Sequence, residues 1–241
     1  MKTQFIDMHC HIIPGVDDGA DDMEEALGML KMEQEQGAQE IILTPHYRSG
    51  YFETSRERVQ GQFEKLSHAA EREGIAVKLH LGCEFYRRNE MEQRLQADAR
   101  YRMAGTKYVL VEFMPQDLAD TIWRYCGELL IGGYRPVIAH AERYRALRDK
   151  KLVRRLIQAG AYIQLNAGSI LGEAGWGTRH FCHMLLKENL VQFIGSDAHH
   201  LERRRPCLGA CREYLNKKLG EEACERLLLK NPQEMLAGEY I

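Results

Sequence analysis

Histidine and carboxylate side chains occur in short, closely spaced groups along the chain. His9 and His11 are separated by one residue, and Asp197 and His199 have the same spacing. Residues two apart on an extended strand face the same side, so each pair can address one site. Imidazole and carboxylate ligands together suit Zn, Mn or Fe. Cys10 faces the opposite side from the paired histidines, so a thiolate-rich structural zinc site is not expected.

Similar side chains stand at the ends of other predicted strands. They are His46, Glu84, Glu112 and His140. One histidine at a strand end is usually a polar loop residue, but this recurrence favours a metal site. The turn Val16-Asp17-Asp18-Gly19 follows the first strand, and one aspartate of the turn is expected to reach back to a metal. The sequence leaves the choice between Asp17 and Asp18 open.

The elements that must position these groups alternate between strand and helix. Short apolar or β-branched runs predict seven strands: 4–8, 40–44, 77–81, 108–111, 136–139, 162–165 and 192–195. Amphipathic segments between them predict helices: 23–36, 56–72, 118–130, 152–159, 180–188 and 210–219. This alternation indicates parallel βαβ units, and about seven of them suggest a closed or nearly closed α/β barrel. The C-terminal strand ends of such a barrel meet at one mouth. An open doubly wound sheet is the alternative, but the Gly-rich phosphate turns that it favours are missing.

Composition narrows the class of protein. The chain has 241 residues, which we expect to form one domain over 1–241, with 33 Lys and Arg against 35 Asp and Glu. This balance argues against a nucleic-acid binder. The sequence contains no run of about 18 apolar residues, so membrane insertion is not expected. The N-terminal residues do not resemble a signal peptide, and the seven cysteines show no CxxC pair, so a cytoplasmic protein is expected.

The cysteines also exclude one mechanism. A thiol-based tyrosine phosphatase needs an arginine six residues after its cysteine, and none of the seven cysteines has one. An amidohydrolase also begins with HxH, but it usually bridges its metals with a strand lysine. The middle strands here end in Glu84 and Glu112 instead.

The ordered motifs resemble those of the polymerase and histidinol phosphatase (PHP) superfamily. DMHCHIIPGVDDGA, ILTPHY, VIAHAERY and IGSDAHH, which span nearly the whole chain, are closest to the capsule-type tyrosine phosphatases of Gram-positive bacteria, the CpsB/YwqE group. The resemblance implies a distorted (β/α)7 TIM-like barrel with two or three divalent ions, usually manganese, with Fe, Zn or Co as alternatives. It implies ligands at His9, His11, Asp17 or Asp18, His46, Glu84, Glu112, His140, Asp197 and His199.

The resemblance also implies a substrate and a reaction. The substrate would be a phosphotyrosine protein, typically the tail of a tyrosine autokinase that controls capsule or exopolysaccharide synthesis, and the protein could be an oligomer. Attack by metal-bound hydroxide would cleave the phosphate ester, because coordination lowers the pKa of water to about 7. Arg143 is expected to clamp the phosphate, with Arg48 and Arg205 as further candidates. The run Arg203 to Arg205 leaves open which arginine meets phosphate.

His199 is a candidate acid for the leaving group if it does not bind metal. A small-molecule phosphatase, such as one for histidinol phosphate, is the alternative enzyme. A metal-free regulatory binding module is the non-enzyme alternative, although every expected ligand type is present.

Overall fold

A computed structural model describes residues 4–89 and 91–241; residues 1–3 and 90, part of the expected single domain, lie outside the described residues. The strands are β1 (Phe5–Cys10), β2 (Ala38–Leu43), β3 (His46–Tyr47), β4 (Lys78–Leu81), β5 (Glu84–Tyr86), β6 (Tyr108–Glu112), β7 (Arg135–Ile138), β8 (Tyr162–Asn166) and β9 (Phe193–Gly195). The helices are α1 (Met23–Gln36), α2 (Arg56–Arg72), α3 (Met91–Ala97), α4 (Ala119–Ile131), α5 (Lys150–Ala159), α6 (Ala167–Leu171), α7 (Trp176–Lys187), α8 (Leu208–Leu219), α9 (Glu221–Glu225) and α10 (Asn231–Ala237).

The strands form a distorted parallel barrel, as predicted. One sheet has the order β1-β2-β4 and the other the order β3-β5-β6-β7-β8-β9, and every named strand pair is parallel. Two barrel strands are each broken into two pieces. Thr44-Pro45 separates β2 from β3, and Gly82-Cys83 separates β4 from β5. Pro45 has no N–H to donate, so regular pairing stops there.

The barrel closes between β9 and β1. Cys10 forms a parallel bridge with Ala198. His11 N donates to Ala198 O at 2.8 Å, and Asp197 N donates to His9 O at 2.8 Å. Closure therefore gives seven barrel strands, and it brings the two sequence pairs with one-residue spacing side by side.

Apolar packing supports the mouth from below. Leu110 and Glu112 are two residues apart on β6, so they share a face. Leu110 belongs to a buried cluster that includes Met8, Val137 and Met235. The ligand-bearing strand ends therefore rest on a packed apolar layer.

Helix boundaries follow local capping signals. Asp22 accepts a hydrogen bond from Glu25 N at the start of α1, and Gly37 ends this helix with a φ of 110°. Ser55 accepts from Arg58 N at the start of α2. Both helices have the bounds that their amphipathic pattern predicted, and side-chain caps of this kind stabilise their first turns. Among the described residues, no helix is long and apolar enough to cross a membrane.

Candidate metal centre

The predicted metal-binding residues meet at one end of the barrel. They come from β1 (His9) and the residue that follows it (His11), from the turn after β1 (Asp17 and Asp18), from the first residues of β3 and β5 (His46 and Glu84), from the last residue of β6 (Glu112), and from the segments after β7 (His140) and β9 (Asp197 and His199). The breaks in two barrel strands place His46 and Glu84 side by side, since they are partners in the β3–β5 register.

Glu84 lies at the centre of this group. Its Oε2 atom is 3.2 Å from His9 Nε2, 3.2 Å from His11 Nε2 and 3.2 Å from His46 Nδ1. Its Oε1 atom is 2.6 Å from His140 Nε2. The side chain is fully buried. A carboxylate that faces four imidazoles has the position required to bridge two cations.

Asp197 forms a second focus beside Glu84. Its Oδ1 atom is 3.5 Å from His9 Nε2 and 3.6 Å from His11 Nε2. Glu112 lies at the opposite side of the group, 3.8 Å from His46 Nδ1. The backbone at Asp197 is left-handed, with a φ of 53°. Such a conformation is costly for a non-glycine residue and is typical of functional sites.

Hydrogen bonds outside the group fix the direction of several rings. In three of them Nδ1 faces an acceptor: Gln164 Oε1 for His9 (3.2 Å), Asp17 Oδ2 for His11 (2.8 Å) and the Asp197 carbonyl oxygen for His199 (2.9 Å). In a neutral ring, Nδ1 therefore carries the hydrogen and Nε2 directs a lone pair into the group. Metal-binding histidines usually have such an outer partner.

The charges in the site have physical consequences for its acids and bases. Burial would lower the pKa of His11, but the neighbouring Asp17 and Glu84 carboxylates raise it to about 10. Burial also opposes ionisation of Glu84, yet the surrounding histidines hold its pKa well below the usual range. Burial, together with the charge of Glu84, raises the pKa of Glu112 to about 8. The carboxylates thus need nearby positive charge, which a cation would supply.

The residues present fit divalent cations. Within the described residues, four buried atoms of this cluster have no hydrogen-bond partner: Glu84 Oε2, Asp197 Oδ1, His46 Nδ1 and His199 Nε2. Buried polar atoms are rarely left without a partner, and all four of these point into the same group. Three overlapping sets have ligand atoms within 4.8 Å of one another: His9, His11, Glu84 and Asp197; His46, Glu84 and Glu112; His11, Asp18, His46 and His199. The donor atoms of these sets therefore suit divalent cations.

The structure places the two aspartates of the turn differently. Asp17 Oδ2 accepts from the backbone N of His46 at 2.9 Å as well as from His11, and Oδ1 accepts from Gly19 N at 3.0 Å. Asp18 is half exposed and lies 3.5 Å from His46 Nε2. A Cβ on Gly19 would be 2.0 Å from the His11 carbonyl oxygen, so only glycine allows the turn to pack this closely. Asp18 therefore has the free carboxylate, whereas Asp17 orients His11.

The predicted arginines separate into two regions. Arg143 Nη2 donates to Asp197 Oδ2 at 2.7 Å, not to the adjacent Glu142. Arg204 Nη2 lies 2.6 Å from the same oxygen. Arg205 lines the same cavity of about 190 Å³ as Arg143 and Arg204, but within the described residues it forms no ion pair with Asp197. Arg48 lies on the Glu112 side, where its charge, like that of Arg143, partly offsets the burial that raises the pKa of that carboxyl. Arg204 is thus the member of the run Arg203 to Arg205 that reaches the cluster.

Two neutral amides on β8 were missed by sequence reasoning. Gln164 Oε1 accepts from His140 N at 2.6 Å, and its Nε2 donates to Asn166 Oδ1 at 3.0 Å. Asn166 Nδ2 in turn donates to Asp197 Oδ2 at 2.6 Å. In the sequence, the only sign of their role is that the predicted strand 162–165 ends without an ionisable residue. Amides at that position orient ligands instead of supplying them.

The thiols do not contribute to this site. All seven cysteines are buried and unpaired. Burial raises the pKa of the Cys10 thiol well above its usual range, and nearby carboxylates such as Asp7 raise it further. A thiol without thiolate character is a poor nucleophile, in agreement with the sequence-based exclusion of thiol chemistry.

Comparison with known proteins identifies relatives along the full chain. The family described as "Capsular polysaccharide synthesis, CpsB/CapC" matches residues 5–237. The tyrosine-protein phosphatase CpsB of Streptococcus agalactiae is 33% identical over 98% of this chain and 100% of that protein.

Solved structures agree with this result. A structure from the work on YwqE of Bacillus subtilis and CpsB of Streptococcus pneumoniae, described as unique metal-dependent tyrosine phosphatases, has a TM-score of 0.91 at 32% identity. It covers 98% of this chain, and this chain covers 96% of it. A phosphotriesterase homology protein from Escherichia coli has a TM-score of 0.63 at 12% identity, with 97% and 99% of the two chains covered, and supports the barrel fold alone.

Proposed function

Because the chain belongs to the CpsB/CapC capsular polysaccharide synthesis family, we propose that it hydrolyses phosphotyrosine in protein substrates with the aid of bound divalent ions. The observation that carries this proposal is the position of Glu84 Oε2, 3.2 Å from three imidazole nitrogens with no hydrogen bond of its own. The names of the relatives give the substrate class, and the cluster gives the means of hydrolysis.

The proposed ligands are those whose donor atoms point into the cluster. They are His9, His11, Asp18, His46, Glu84, Glu112, His140, Asp197 and His199. Asp17 is proposed as the residue that orients His11. When bound, the ions supply Lewis acidity and an activated water molecule. We further propose manganese as the resident ion, although the donor set alone also suits Fe, Zn or Co.

Arg143 and Arg204 are proposed to hold the phosphate group. Both guanidinium groups stand at the edge of the cluster on Asp197 Oδ2, and both are partly exposed to solvent. Guanidinium groups donate paired hydrogen bonds to phosphate oxygens, and these bonds strengthen as charge develops in the transition state.

Departure of the tyrosine requires little help from an acid, because a phenol has a pKa near 10. Burial, followed by the charge of His11, lowers the pKa of His199 to about 2. A ring this reluctant to accept a proton is better suited to bind a metal than to protonate the leaving group. His199 is therefore proposed as a ligand in preference to a catalytic acid.

The physiological substrate is proposed to be the tail of a tyrosine autokinase, in keeping with the capsule synthesis role of the family. A flexible tail can present its phosphorylated ring to a recessed barrel mouth.

Mass photometry of the purified protein would test whether it acts as an oligomer.

The deciding experiment combines metal analysis with a comparison of substrates. We expect two or three equivalents of metal, and rates on phosphotyrosine peptide that exceed those on phosphoserine peptide and histidinol phosphate. Chelator should abolish the activity and added Mn²⁺ should restore it. Arg143→Ala should lower turnover strongly while metal content stays the same, because the lost contact is to substrate. Faster turnover of histidinol phosphate would instead assign a small-molecule phosphatase.

A further inference from the structure

A groove opens beside the metal cluster at the end of β5. It has a volume of about 310 Å³ and is lined by Ser49, Tyr86, Arg87, Arg88 and Asn89. Tyr86 is two residues beyond Glu84 on β5, so the two side chains share a strand face. Tyr86 is also the register partner of Glu112 on β6, so this β5 groove lies beside the Glu112 side of the cluster.

The two arginines that line the β5 groove differ in whether a carboxylate neutralises their positive charge. Arg87 is neutralised by Asp117, with its Nε 2.5 Å from Oδ2 and its Nη2 2.6 Å from Oδ1. Arg88 donates only to the hydroxyl of Tyr47, at 3.3 Å, and to the carbonyl of Asn89. Within the described residues, Arg88 forms no ion pair. The Arg88 charge acts on Glu53 without direct contact, so its guanidinium group can still donate hydrogen bonds to a ligand.

Arg48 adds a second guanidinium group at the border of the groove. Its guanidinium carbon lies 4.4 Å from the ring centre of Tyr51 and 4.3 Å from that of Tyr86. In the described part of the chain it has no carboxylate within ion-pair distance. Glu53, the acidic residue of the same loop, has its pKa lowered first by hydrogen bonds to Ser49 and to the backbone at Gly50, and to a smaller extent by the charge of Arg88. The aromatic rings hold the guanidinium in place without cancelling its charge.

We propose that the β5 groove binds a carboxylate side chain of the substrate protein that flanks the phosphotyrosine. The inference rests on the proposed function and names a sequence preference for it. Planar guanidinium groups match carboxylates in geometry, and the phosphate itself is directed to the other side of the mouth by Arg143 and Arg204.

The length of an extended peptide limits how many residues can separate the acidic residue from the phosphotyrosine. Tyr86 lies about 7 Å beyond Glu84 along β5, since a strand rises about 3.4 Å per residue. The side chains of the tyrosine and of the acidic residue add a similar distance. An extended peptide advances about 3.4 Å per residue, so the favoured acidic position is roughly two to four residues from the phosphotyrosine.

The test uses paired phosphopeptides that differ only in their flanks. One peptide carries Asp or Glu at these positions, and its partner carries Asn or Gln. We expect the wild-type protein to favour the acidic peptide by about five- to tenfold in kcat/KM, mainly through KM. Arg88→Gln should remove this preference, while kcat and the hydrolysis of free phosphotyrosine stay unchanged.

Two further variants distinguish charge from structure. Arg124→Gln is the matched control, because Arg124 is an exposed arginine of α4 that pairs with Glu128 and does not line the groove. Arg88→Glu should reverse the preference and favour a lysine-flanked peptide. Equal rates on the paired peptides, or an unchanged preference in Arg88→Gln, would overturn the inference. A wild-type protein that is inactive on free phosphotyrosine and on both peptides would instead refute the proposed function.

Discussion

Replacement of Gln164 by leucine tests whether the β8 amide organises the metal centre. Gln164 Oε1 accepts hydrogen bonds from His140 N at 2.6 Å and from His9 Nδ1 at 3.2 Å. His140 has a left-handed backbone with a φ of 32°, so this hydrogen bond also stabilises an unfavourable conformation. Leucine has a similar size and offers neither the acceptor nor the donor.

The expected loss of stability in Gln164→Leu follows from the two hydrogen-bond donors that it leaves without an acceptor. Each buried donor that loses its acceptor costs about 1–3 kcal/mol, so the metal-free protein should lose roughly 2–6 kcal/mol of stability. Loss of a partner that orients a metal ligand typically weakens metal binding about 10- to 100-fold. We therefore expect Gln164→Leu to fold less stably and to bind Mn²⁺ about 10- to 100-fold more weakly.

The assay is a competition with a fluorescent chelator, together with urea unfolding in the presence of excess chelator. Gln192→Leu is the matched control. Gln192 Oε1 accepts one hydrogen bond, from Ile163 N at 2.9 Å, and precedes β9 at the end of the barrel away from the mouth. It should lose stability with unchanged metal affinity. Equal Mn²⁺ affinities for the two variants would refute the role given to Gln164.

Three further predictions concern single side chains. Arg204→Ala should lower kcat on phosphotyrosine peptide at least tenfold with unchanged metal content, whereas Arg205→Ala should act weakly, because of these two arginines it is Arg204 that forms an ion pair with Asp197; equal effects in steady-state assays would contradict this. Cys10→Ser should retain most of the activity, and a loss beyond about a thousandfold in a folded variant would restore a thiol mechanism. Burial raises the pKa of Glu33 well above its usual value of 4.5, so the folded protein keeps a proton that the unfolded chain loses. Stability should then fall as pH rises above about 4.5, by up to about 1.4 kcal/mol per pH unit. Glu33→Gln should escape this loss, so its stability advantage in urea unfolding should be larger at pH 8 than at pH 5.

The regular elements were predictable because their signals are local. The first two helices were predicted to the residue from their amphipathic pattern, and the structure shows that the side chains of Asp22 and Ser55 cap their starts. The first strand was predicted as 4–8 but runs from Phe5 to Cys10, because the histidines continue the extended conformation that apolar periodicity alone does not reveal.

The broken strands were not predictable from pattern. β3 and β5 have two and three residues, too few to show an alternation of apolar and polar side chains. They are strands because neighbouring strands supply their hydrogen bonds, for example Pro45 O, which accepts from Glu84 N at 3.1 Å. Such pairing is a property of the tertiary fold and leaves little trace in the local sequence.

The residues of the centre were predictable by type, but their division of labour was not. Asp17 and Asp18 are adjacent and chemically identical, so only the direction of each side chain separates the one that orients His11 from the one that faces the cluster. Gln164 was invisible for another reason. A buried amide on a strand has no spacing signature, and its role appears only when its partners from β1 and β7 are assembled.

The residues that close the barrel between β9 and β1 include residues of the metal centre, so metal binding and barrel closure are coupled. The backbone bonds of this join involve His9, His11 and Asp197 themselves, and the Ser196 hydroxyl donates to Asp7 across the same join. Ions held by these side chains would restrain the two strands from separating. Amide exchange of His11 and Asp197 should accordingly slow on metal loading. Proteolytic cleavage of the metal-free chain should begin where this join parts.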